Sequence, residues 1–158
     1  MDRASAWELL CEYTKTEPLR KHALAVETVM RHFARKHGED GETWAVTGLL
    51  HDFDYERWPT MEGHPYEGNK ILAERGCPEP ICTAIMGHAD YTGVARESLM
   101  AKVLFSVDEL TGFVTAVALV RPTKSIFEVE PASVRKKMKD KAFARQVNRE
   151  DIVNGAAE

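Results

Sequence analysis

At 158 residues, with 44% hydrophobic and 29% charged side chains, the chain has the make-up of one soluble globular domain, long enough to bury a core without staples. No apolar run approaches the ~20 residues that cross a bilayer, and the acidic, amphipathic start MDRASAWELLCEY does not read as a secretory signal, so no membrane partner is expected. Cys11, Cys77 and Cys82 cannot complete a disulfide set, which points to the reducing cytoplasm.

Helical punctuation recurs along the whole chain, without strand alternation, internal repeats or low-complexity tracts, so an all-α bundle is expected. A short helix over about residues 5–13 buries Trp7, Leu10 and Cys11. Thr16 caps a second helix, with Pro18 in its first turn and Gly38 just past its end. Along it Leu19, His22, Val26, Val29 and Phe33 recur at three- and four-residue spacing as one apolar stripe, which puts His22 on the buried side. A third helix, about 42–53, turns Trp44, Val46, Leu49 and Leu50 inward and closes on His51-Asp52. The polar loop DYERWPTMEG leads to His64-Pro65, where proline opens a fourth helix that Gly76 stops. The fifth starts near Pro78, with Ile81, Ala84, Ile85 and His88 on one face.

The sixth helix, about 97–120, is apolar on almost every side and belongs in the middle of a bundle. Asp108 lies in its interior, and a carboxylate there is costly unless it is paired or holds a cation. Arg121-Pro122 ends that helix. Two more are expected, over about 131–145 and from an Asn148 cap onward. Residues 121–149 hold nine Lys/Arg against three acids, so this segment carries +6 and the rest of the chain −10. Such a cationic segment suits an anionic substrate and equally suits a solvated helix face. Nucleic acid is not expected, because the KKMKDK stretch has no interleaved aromatics. Oligomeric state is left open.

His22, His51, Asp52, His64, His88 and Asp108 are imidazoles and carboxylates, the donors of transition-metal sites. Taken singly, His22 and His88 read more readily as hydrogen-bonded core residues than as ligands, and His51-Asp52 can be read as a helix-capping pair. Cys77 and Cys82, separated by Pro78 and Pro80 with no second pair in the chain, read as small buried apolar residues rather than ligands.

Taken together, the order His22, His51-Asp52, His64, His88, Asp108 resembles the HD-domain superfamily of metal-dependent phosphohydrolases in its two-metal form. The resemblance runs over about residues 17–121 and leaves 122–158 as a basic helical extension of a single HD domain, 1–158. It implies that His22, His51, Asp52 and Asp108 are the four ligands of the family signature. It also implies that His64 and His88 are the two added histidines of binuclear members, and that Asp52 bridges the ions. Two divalent transition-metal ions (iron, manganese, zinc, cobalt or nickel) and a small phosphorylated substrate, a nucleotide or metabolite, are expected. The Gly-Lys of the cyclic-dinucleotide branch is absent after His51-Asp52, where the chain reads Phe53-Asp54-Tyr55-Glu56. That stretch, with the downstream Asp108-Glu109-Leu110-Thr111-Gly112, resembles a group of small stand-alone bacterial HD proteins. Asp54 and Glu56 are expected as proton shuttles, and Arg20, Lys21, Arg121 and Lys124 as phosphate-gripping cations. The same six ligands support oxygen chemistry in myo-inositol oxygenase and its phosphonate-cleaving relatives, and a non-catalytic sensor is a third possibility.

Overall fold

A computed structural model describes residues 1–158, and it is all-helical, with eight α-helices, two short 3-10 turns and no strand. The residues form two compact units, Met1–Phe105 and Ser106–Glu158. The boundary falls inside a continuous helix rather than at Pro122. No helix is long and apolar enough to cross a membrane.

The first unit contains α1 (Arg3–Tyr13), α2 (Glu17–His37), α3 (Gly41–Leu50), α4 (Tyr66–Glu74), α5 (Glu79–Gly87) and the start of α6 (Leu99–Leu119). Its centre is α3, where every residue from Trp44 to Leu50 is buried. A helix apolar all round must be enclosed, and α3 packs on α1, α2 and α5. Asp40 caps it by accepting the Glu42 and Thr43 amides at 3.1 and 3.2 Å. Gly48 lets α2 come close: a Cβ there would lie 2.9 Å from Met30 Cγ and 3.1 Å from the Glu27 backbone. That crossing brings the ends of α2 and α3 that carry His22 and His51 to one place.

The buried stripe of α2 is Ala23, Val26, Glu27, Met30 and Ala34, rotated from the expected one, which left Val29 and Phe33 half-buried. Small Ala23 and Ala34 suit the close approach to α3, and Glu27 is tolerated inside because it is fully paired. Its carboxylate takes Arg3 Nε at 2.7 Å, Arg3 Nη2 at 2.9 Å and Arg31 Nη2 at 3.2 Å, tying α1 to α2. Gly38 closes α2 in the left-handed conformation, φ 74°, where glycine carries no Cβ penalty.

The second unit contains the rest of α6, α7 (Pro131–Met138) and α8 (Arg149–Gly155). Phe113, Val117 and Ile152 are its core, with Val129, Val134, Met138 and Phe143 packed against them. These apolar partners explain why the unit begins within α6: the helix's last turns carry Phe113 and Val117. The expected helix over 131–145 ends at Met138. Beyond it the Arg149 guanidinium collects the carbonyls of Met138, Asp140, Phe143, Ala144 and Val147 and lies 5.1 Å from the Phe113 ring centre. Carbonyls that accept from a side chain, with Ala144 at φ 42°, hold turns in place of further helix. Asn148 caps α8 as expected, accepting Glu150 N at 3.0 Å.

Candidate metal centre

Four elements of the first unit converge on Asp52. His22 projects from the second turn of α2, His51 is the C-cap of α3, His64 directly precedes the cis peptide to Pro65 at the start of α4, and His88 is the C-cap of α5. His51 is fully buried, and His64 and His88 nearly so. Asp52 keeps 23% of its side chain exposed, so the centre opens to solvent on the carboxylate side.

The carboxylate divides the histidines into two pairs. Asp52 Oδ2 lies 4.0 Å from His22 Nε2 and 3.4 Å from His51 Nε2. Asp52 Oδ1 lies 3.2 Å from His64 Nε2 and 3.4 Å from His88 Nε2. His22, His51 and Asp52 offer donor atoms within 4.8 Å of one another, and so do Asp52, His64 and His88.

The far side of each ring is held. His51 Nδ1 donates to Gly48 O at 2.8 Å, His88 Nδ1 donates to Ile85 O, and His64 Nδ1 donates to Asp54 Oδ1 at 2.8 Å. Carbonyl and carboxylate oxygens only accept, so these Nδ1 atoms carry a hydrogen, and each ring in its neutral form would turn an Nε2 lone pair inward, the arrangement metal-bound histidines use. His64 Nε2 and His88 Nε2 then lie 3.2 Å apart, which suits two imidazoles on one ion: bonds of ~2.1 Å at tetrahedral or octahedral angles separate the nitrogens by about 3.0–3.4 Å. The donor set and its spacing fit divalent transition metals.

The charges of the centre offset one another. Burial opposes ionisation of Asp52, but the facing His51, His64 and His88 hold its carboxyl well below the usual carboxylate range. Burial likewise opposes charge on His64, and its bonds to Asp52 and Asp54 outweigh that and raise it to about 9.

The remaining expected residues are committed in other ways. Asp54, 1% exposed, accepts from His64 through Oδ1 and from the Gly68 amide through Oδ2 at 2.8 Å, so neither oxygen is open to a substrate proton. Glu56 Oε2 accepts from Lys15 N at 2.8 Å, Thr16 N at 3.0 Å and Thr16 Oγ1 at 3.1 Å, and the Thr16 amide above all keeps its carboxyl below the usual range. Thr16 occupies the α2 N-cap without a side-chain cap bond, its hydroxyl being turned to Glu56. Arg20 donates to Thr14 O at 2.8 Å and Cys11 O at 3.3 Å. Lys21 pairs with Glu17 at 2.6 Å on the surface.

Asp108 stands on α6, within the second unit and half-buried. Arg121 and Lys124 are also in that unit, where Arg121 Nη2 donates to Ser133 Oγ at 3.0 Å and Lys124 is exposed at φ 53°.

Three residues of the surroundings were not singled out from the sequence. Tyr91 donates its hydroxyl to His64 O at 2.8 Å, and burial plus the negative charge of Asp52 and Asp54 push its phenol up to about 12. Tyr55 meets the His64 ring edge-on, with centroids 5.4 Å apart. Gly68 leaves room for Asp54, since a Cβ would fall 2.5 Å from Asp54 Cγ. The only signal for Gly68 in the chain is a glycine in the first turns of a helix, four residues after a ligand-type histidine.

Residues 19–112, more than half of the chain, match the family model for the HD domain, and the matched stretch holds all six ligand-type residues. No curated protein and no solved structure matches.

Proposed function

The chain belongs to the HD-domain family, and from that premise we propose that it is a cytoplasmic phosphohydrolase with a binuclear metal centre, acting on a nucleotide or small phosphorylated metabolite. The observation that carries the proposal is the division of Asp52, with one oxygen facing His22 and His51 and the other facing His64 and His88. A carboxylate serves two cations at once, which an imidazole nitrogen cannot. In this reading Asp108 is the further anionic ligand of the His22–His51 ion, as the family order of the six residues implies.

Two divalent ions held there would supply an activated water and neutralise charge on the phosphoryl group. The chain's own part is positional. Backbone carbonyls at Gly48 and Ile85 and the Asp54 carboxylate keep three imidazoles in the metal-binding tautomer. Buried His51, His64 and His88 keep the floor of the site dry, which strengthens every charge interaction within it. The partly exposed Asp52 marks the face from which an anionic substrate enters. Three free cysteines support the cytoplasmic assignment.

The test is an anaerobic assay of the manganese-loaded protein against a panel of phosphate esters. Phosphate release without oxygen supports the hydrolase. Silence there, with oxygen uptake by the iron-loaded protein, would make it an oxygenase, and silence in both would make it a non-catalytic metal-binding module.

A further inference from the structure

The segment that follows Asp52 is fastened to two other segments of the first unit through Phe53, Asp54 and Glu56. Thr14 Oγ1 donates to Phe53 O at 2.8 Å. Asp54 receives the Gly68 amide of α4 and the His64 imidazole, one on each oxygen. Glu56 receives the Lys15 and Thr16 amides and the Thr16 hydroxyl, all on one oxygen. Lys15 and Thr16 lead directly into α2, which carries His22. The turn that holds Asp52 therefore also grips the two segments that deliver His64 and His22.

We propose that Asp54 and Glu56 are positioning residues rather than proton carriers: Asp54 fixes the ring angle and tautomer of His64, and Glu56 fixes the entry of α2 and with it His22. The inference extends the metal-centre reading above.

The two carboxylates differ in a way that separates this role from acid–base work. Asp54 needs two acceptors, because each oxygen serves a different donor. An amide has one acceptor, so Asp54→Asn leaves either Gly68 N–H unpaired or an N–H facing His64 Nδ1. The second arrangement forces the imidazole hydrogen onto Nε2, where it blocks a metal. Glu56 uses a single oxygen, and the carbonyl of Gln can accept the same three donors. A proton carrier would lose its function in both amides equally.

The experiment titrates zinc or manganese alone into wild type, Asp54→Asn, Glu56→Gln and Glu56→Ala, with helical content checked by circular dichroism. Amide hydrogen exchange of the metal-free proteins, with Asp54→Ala added, is followed in parallel. The expected result is that Asp54→Asn weakens one of two ions by about 10- to 100-fold, the usual effect of losing a histidine's outer partner, and spares the other. Glu56→Gln should bind both ions and keep kcat within about twofold, whereas Glu56→Ala should lose protection at Lys15 and Thr16. Wild-type affinity for both ions in Asp54→Asn would overturn the proposal. So would an inactive Glu56→Gln that still binds both ions. If the wild type bound no metal at all, the functional reading would fail, and exchange would still decide the clamps: loss of protection at Gly68 in Asp54→Ala and at Thr16 in Glu56→Ala supports them, and unchanged protection refutes them.

Discussion

The Nε2 atoms of His64 and His88 face each other 3.2 Å apart while the opposite nitrogen of each ring donates to a fixed oxygen. Two inward lone pairs at that distance repel unless a cation or a proton lies between them. His88→Ala should therefore lower bound metal from two ions toward one, with the His22–His51 side still loaded. Elemental analysis and metal titration check this, and unchanged stoichiometry would place His88 outside the ligand set.

Asp52→Ala should be the most damaging single change at the centre. All four histidines turn a nitrogen toward this one carboxylate, so its loss would remove the group common to both proposed ions. Activity should fall by about 10³-fold or more, given the several kcal/mol that such metals supply. Steady-state assays beside metal analysis would show whether turnover and occupancy drop together.

Removing metal should destabilise the folded chain, because the proposed ligands come from separate elements and ligation adds to folding free energy. At free metal about 100-fold above Kd the linkage is about 2.7 kcal/mol, or roughly 5–10 °C in melting temperature for a chain of this size. Thermal melts with and without chelator test it. Equal midpoints would mean that the centre does not couple to the fold.

Gly48→Ala should strain the α2–α3 crossing, where the new methyl meets Met30 Cγ at 2.9 Å and the Glu27 backbone at 3.1 Å. Met30 can shift, but a backbone on a packed helix cannot, so about 1–3 kcal/mol should be lost. Chemical denaturation measures the loss. Because His51 lies one turn further on, metal affinity should weaken with it.

Burial pushes the Cys77 thiol up to about 11 and raises Cys82 as well. Both should resist alkylation in the native state at neutral pH and react on unfolding, which mass spectrometry of iodoacetamide adducts would show. The sign for stability follows. A thiol ionising near 9.0 when unfolded and near 11 when folded favours unfolding above about pH 9, and this cost should be smaller in Cys77→Ala.

Whatever depends on neighbours along the chain was legible in the sequence. Helix starts and stops could be read at Pro18, Gly38, Gly76 and Asn148, because caps and breakers act within one turn. The six ligand-type residues were visible because few other roles require two histidines on inward helix faces, a third at a helix start, a His-Asp pair at a helix end and an aspartate inside an apolar helix. How distant groups meet was settled by tertiary contacts alone. They paired Asp54 with Gly68 and His64, Glu56 with Thr16, and Arg20 with Thr14 and Cys11. They also rotated the buried face of α2 to admit Glu27 beside Arg3, and ended α7 early where Arg149 collects the carbonyls. A carboxylate or guanidinium takes the partner that folding brings within about 3 Å, and its own residue type does not specify which partner that will be.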